Sequence, residues 1–122
     1  MDEPLDTVYL RNSIDVELSL ADADEATGDL TGAFTHLERA HVLGQSLTYD
    51  HTFVHWRMLK LGWKMRSPRE VFGQVIRILG AATKTPFGIY PAGNTGGANV
   101  WFFKRMTVPE DLREIIQQAK LR

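Results

Sequence analysis

The sequence predicts an all-α fold: two antiparallel helical hairpins, then a Gly-rich loop, a short extended segment and a C-terminal helix. Three observations carry that expectation. Apolar residues recur at helical spacing through most of the chain. Helix start and stop signals, such as Gly28-Asp29 and Ser67-Pro68, divide it into segments of ordinary helical length. A shift of 38 residues lays Ala33-Phe34 on Val71-Phe72, Leu37 on Val75 and Ala40 on Ile78. Two helix-turn-helix units related in this way resemble tetratricopeptide-type hairpins.

The first helix is expected from about Thr7 to Thr27, with Val8, Ile14, Leu18 and Ala21 on its apolar stripe and Gly28-Asp29 ending it. A second runs from about Thr31 to Gly44, with Phe34, Leu37, Ala40 and His41 on one side. Residues 45–50 form a turn in which Asp50 is placed to cap a third helix, His51 to Arg66. That helix buries Val54, Met58 and Leu61, with Trp63 as a further candidate. Ser67-Pro68-Arg69-Glu70 has the spacing of a capping box with proline at the first helical position. The fourth helix uses Val71, Val75, Ile78 and Leu79 and stops near Ala82. Gly and Pro crowd the loop that follows, the segment VWFF (100–103) reads as extended, and Pro109-Glu110-Asp111 opens a last helix carrying Leu112, Ile115, Ile116 and Ala119.

At 122 residues, with 43% hydrophobic and 24% charged residues, the chain has the size and composition of a single helical domain spanning residues 1–122. Without cysteine it has neither a disulfide nor a thiolate site. The N-terminal MDEPLDTVYL lacks the basic start and apolar run of an export signal, and the longest apolar stretch, VFGQVIRILGAA, is too short to span a bilayer. A cytoplasmic location without membrane association is therefore expected. Nine of the fifteen acids lie between Asp2 and Asp29, whereas Arg57, Lys60, Lys64, Arg66, Arg69 and Arg77 form a later basic run interrupted only by Glu70. With a net charge of -1, this asymmetry predicts attraction between an acidic first helix and a basic later one, not a nucleic-acid surface.

The chemistry is concentrated in residues 34–59, which hold all four histidines: His36, His41, His51 and His55. His51 and His55 are four apart, so on a helix they share one face a turn apart, the spacing by which two imidazoles grip one ion. Metalloproteases place a Glu directly after the first such His; Thr52 stands here, so a protease of that kind is excluded. If the connection turns about residue 48, His41 lies level with His55, and Gln45 with His51. A similar argument about Gly28-Asp29 brings Glu17 level with His41. The expected metal ligands are Glu17, His41, His51 and His55, with Glu38 as a rival carboxylate and Gln45, Tyr49 or Asp50 steadying the rings. His36, rotated by about 140° from His41 at 100° per residue, is expected off the site, bonded to an acid of the first helix such as Asp22. Three imidazoles and a carboxylate suit zinc first, with Ni, Co, Cu and Fe as alternatives. Affinity is expected to fall below about pH 6, where free imidazole protonates.

The loop Pro91-Ala92-Gly93-Asn94-Thr95-Gly96-Gly97 lacks the Lys-Ser/Thr of a phosphate loop and reads instead as a tight turn using positive φ, packed close over the helices. Alternation in the extended piece puts Trp101 and Phe103 on one face, a candidate surface for a homodimer or a protein partner. Three functional classes follow: a metal-handling or metal-sensing protein, a helical interaction module with structural histidines, and a hydrolase using metal-bound water with Glu38 as proton acceptor.

The segments HLERAHVLGQ (36–45), His51 to Trp56, GQVIRILGA (73–81) and PAGNTGGANV (91–100) together resemble an uncharacterised bacterial family of short proteins, known only as a domain of unknown function. The resemblance covers residues 17–111, is most specific in HLERAHVLGQ and GNTGGANV, and implies neither an activity nor a cofactor.

Overall fold

In the computed structural model, which describes residues 5–101 and 104–121, the protein is all-helical. Among the described residues five α-helices follow one another: α1 (Thr7–Ala26), α2 (Leu30–Gly44), α3 (Thr48–Lys64), α4 (Pro68–Lys84) and, after a 3-10 turn at Thr85–Phe87 and a long loop, α5 (Glu110–Leu121). No strand occurs among the described residues. Val100 lies in a bend and Trp101 in no regular element, and Phe102 and Phe103 lie outside the described residues.

The local chemistry of the helix starts explains most of these boundaries. Asp6 accepts a hydrogen bond from Tyr9 N at 3.0 Å and Asp29 one from Gly32 N at 2.9 Å, so each carboxylate satisfies an otherwise orphan amide. Gly28, at φ +83°, supplies the left-handed residue between α1 and α2. Ser67 caps α4 through Glu70 N, but Glu70 turns its carboxylate toward Gln74 Nε2 and Ala98 N instead of completing the capping box. Asp50 is not a cap. Helix α3 starts at Thr48, and Asp50, already inside its first turn, pairs with Arg11 Nε at 2.9 Å.

Helix α2 is the hub. It packs against α1, α3 and α5, while α4 packs against α3. Leu10, Ile14 and Ala21 of α1, Ala33, Leu37 and Ala40 of α2, Val54, Met58 and Leu61 of α3, and Leu112 and Ala119 of α5 close one apolar core. Two expectations fail at its margin, since Val8 and Trp63 are exposed and Leu10 occupies the place assigned to Val8. Helix α4 departs further. Phe72, Val75 and Leu79 face outward, and the side it buries is marked by Gln74 and Ala81. Val71 and Ile78 are half-buried, and the fully buried glutamine among them signals that this side also serves something other than the core.

The charge asymmetry resolves into pairs between helices. Asp22 and Glu25 of α1 meet Arg57 and Lys64 of α3. No described helix is long and apolar enough to cross a membrane.

Candidate metal centre

His41 leaves α2 near its C-terminal end, and His51 and His55 leave one face of α3. All three are buried, at 2%, 7% and 3% exposure, which is rare for imidazoles without partners. Their Nε2 atoms converge. His41 Nε2 lies 3.0 Å from His51 Nε2 and 3.1 Å from His55 Nε2, with one ligand atom from each residue within 4.8 Å of the others. The rings meet edge-on, at 70° and 67° between planes, and so present nitrogens to a shared point instead of stacking.

The opposite nitrogen of each ring is held. His41 Nδ1 lies 2.7 Å from the carbonyl of Asn94, His51 Nδ1 2.7 Å from Thr85 Oγ1, and His55 Nδ1 2.6 Å from Gln74 Oε1. A carbonyl only accepts, so His41 Nδ1 carries its proton. Gln74 donates through Nε2 to Glu70 Oε2 and to the Gly96 carbonyl, which fixes its amide with Oε1 toward His55. His55 Nδ1 therefore carries its proton too. With both rings neutral, His41 and His55 turn bare lone pairs toward each other across 3.1 Å. That contact is repulsive unless a shared proton or a metal ion sits beside both nitrogens. Two nitrogens each about 2.0–2.1 Å from one tetrahedral ion are separated by roughly 3.3 Å, so the spacing is that of neighbouring ligands.

Burial keeps these rings neutral. It pushes His51 down to about 4 and His55 to about 3, the latter helped by the neighbouring His51, and it holds His41 well below the ordinary imidazole value. Neutral imidazole is the ligating form.

The Gly-rich loop is what closes on His41. Gln45 donates to the Pro91 carbonyl and accepts from Gly93 N, tying the loop to the end of α2. Asn94 donates to the Trp101 and Lys104 carbonyls and accepts from Gly96 N. Gly96 itself, at φ +86°, lies so close that an added Cβ would stand 2.6 Å from the His41 ring. Gly96→Ala is thus expected to destabilise the protein by about 2–3 kcal/mol, combining a left-handed alanine with the clash. A denaturation midpoint equal to wild type would refute this close fit.

Glu17 lies outside this group. Its oxygens accept from His36 Nδ1 at 2.7 Å and Arg39 Nε at 2.9 Å, and Arg39 also reaches Asp111 of α5. The symmetric hairpin argument set Glu17 level with His41; it meets α2 more than one turn earlier, at His36. His36 is off the centre as expected, but pairs with Glu17 and approaches Asp24, while Asp22 is taken by Arg57. Glu38 is not in the histidine group, and burial raises its carboxyl. Tyr49 is exposed. Among the described residues, the three histidines form the group able to share an ion. The ring-holding groups Asn94, Thr85 and Gln74 had escaped the sequence. Only Gln74, an amide on α4's helical repeat, left a trace there.

The Nε2 cluster opens into a cavity of about 360 Å³ between α4 and the loop, walled by Ile76, Leu79, Ala81, Ile89 and Pro91 and also lined by Arg77 and Lys84. No Asp or Glu lines it among the described residues.

Residues 9–116 match the family described as "Protein of unknown function (DUF3703)", and the chain belongs to that family. No significant match exists among curated proteins or among solved structures.

Proposed function

We propose that this protein binds one transition-metal ion, zinc or a neighbouring divalent 3d ion, through Nε2 of His41, His51 and His55, in metal handling or sensing within the cytoplasm. The observation that carries this reading is the pair of deprotonated nitrogens of His41 and His55 facing each other at 3.1 Å, each with its Nδ1 proton committed elsewhere. Three nitrogen ligands with a fourth direction facing a cavity match the open zinc arrangement, not the closed structural one. Glu17, bound to His36 and Arg39, is not required as a ligand on this reading. Glu38, the proton acceptor named for hydrolysis by metal-bound water, does not line the cavity.

Metal content of the untagged protein tests the proposal. We expect one ion per chain, removed by a chelator and restored on retitration, with His36→Ala retaining full stoichiometry. Sub-stoichiometric metal that does not return after chelation would refute it.

A second reading rests on α4. Phe72, Val75 and Leu79 are 70%, 45% and 65% exposed and spaced as one helical stripe. A helical-hairpin scaffold of tetratricopeptide-like form could present that stripe to a protein partner or to a second copy of itself. Partner capture that survives replacement of His41, His51 and His55 would favour it.

A further inference from the structure

We infer that the centre takes, as its fourth ligand, a small organic anion with an apolar body, of the class of medium-chain monocarboxylates. This rests on the metal reading above and adds to it the chemistry of what the metal meets.

The argument starts from charge. Three neutral imidazoles leave the two positive charges of a divalent ion uncompensated. No carboxylate lining the cavity among the described residues offsets that charge. Arg77 and Lys84 both line the cavity, and Arg77 donates to the Gly73 and Val100 carbonyls. Glu70 does not line the cavity; its carboxylate accepts from Gln74 Nε2 and from Ala98 N. A charge partly withdrawn from water is costly unless it is paired. An anion at the open position offsets it, and the chain itself supplies none there among the described residues.

Shape selects the kind of anion. An inorganic oxyanion or hydroxide would satisfy the charge and leave the walls unused. Those walls are apolar on opposite sides, Ile76 and Leu79 from α4 and Ile89 and Pro91 from the loop. Leu79 is 65% and Ile89 56% exposed, so the mouth holds apolar surface in water that a ligand's hydrocarbon would cover. A volume of about 360 Å³ lies in the range of small-molecule pockets. A carboxylate of about eight carbons is of a size to lie within it.

The protein loaded with Co(II) provides the test, because its visible spectrum reports both occupancy and a change of fourth ligand. Acetate, butanoate, hexanoate and octanoate are titrated in turn, with octanamide as an uncharged control. Burial of each methylene is worth about 0.8 kcal/mol, so affinity should rise close to fourfold per carbon from butanoate to octanoate. Octanamide should bind at least 100-fold more weakly than octanoate. The double variant Leu79→Ser/Ile89→Ser should flatten the chain-length dependence while leaving acetate unchanged. If cobalt binds one per chain but acetate and octanoate bind alike, or octanamide matches octanoate, this inference is overturned and the metal centre stands. A chain-length slope unchanged in the double variant would remove the cavity as the binding place and overturn it equally. Failure of the protein to take up cobalt stoichiometrically overturns the metal reading itself, and this inference with it.

Discussion

His41→Ala is expected to abolish stoichiometric metal binding, lowering affinity by about 1000-fold or more, and to cost no more than about 2 kcal/mol of stability in chelator. His41 is the residue whose Nε2 lies beside both other ring nitrogens, at 3.0 and 3.1 Å. Loss of an outer partner of a metal ligand typically weakens binding about 10–100-fold, and loss of a ligand must exceed that. The stability comparison separates two explanations of the cluster. A metal present at about 1000 times its dissociation constant adds roughly 4 kcal/mol to the folded state. Wild type should therefore melt well above the variant when metal is present. In chelator the variant loses the His41 ring and leaves a void, which costs stability. It also removes the opposition of lone pairs between His41 and His55. These effects oppose each other, and the apo proteins should agree within about 2 kcal/mol, an ordinary single-substitution cost. If the histidines merely pack, the variant will be destabilised by the same amount with and without metal. Thermal melts of both proteins, with chelator and with zinc, decide between the two.

The elements that the sequence made legible are those whose signals are local. The break at Gly28-Asp29 and the cap at Ser67 follow from residues that turn or cap their own backbone, whereas the cap expected at Asp50 lies inside α3. Val54, Met58 and Leu61 follow from their spacing, as does the shared face of His51 and His55. The match of His41 to that face followed from helix pairing across a short turn, which leaves little freedom in register. Glu17 marks where the same reasoning runs out. Between α1 and α2 the register is set by contacts distant in sequence, with Arg39 bridging Glu17 to Asp111 of α5, and no local signal encodes them. Helix α4 was misread for a related reason. Its stripe of Val75 and Leu79 has ordinary core spacing, yet its buried side carries Gln74 because that glutamine orients His55. A polar group is tolerated at full burial only when every bond it can make is made, and here His55, Glu70 and Gly96 make them.

Acidification should unfold the metal-free protein far more readily than the metal-loaded one. Folding lowers His51 to about 4 and His55 to about 3 and shifts His41 in the same direction, mainly through burial. In the unfolded chain each titrates near 6.5. Below that value the unfolded state binds protons that the folded state refuses, so stability falls as the pH drops. The contribution of these rings is fully present above about pH 6.5 and is lost progressively down to the folded values near 4 and 3. Each ring contributes about 1.4 kcal/mol per pH unit while only the unfolded form is protonated. His51 and His55 together then account for a loss on the order of 8 kcal/mol, comparable to the 5–15 kcal/mol that holds an ordinary domain together. The apo protein should accordingly unfold before the folded-state values are reached, with a midpoint near pH 4–5. The same displacement moves the window for metal binding. An exposed imidazole loses its metal below about pH 6, but these buried rings stay neutral to lower pH, and affinity measured on folded protein should be nearly flat from pH 8 to about pH 5.5. Urea melts of apo protein across pH 4–8, paired with zinc titrations over the folded range, measure both. An apo stability independent of pH between 6.5 and 5, or a zinc affinity falling tenfold between pH 7 and 6, would show that the rings meet solvent and that the buried cluster does not exist in solution.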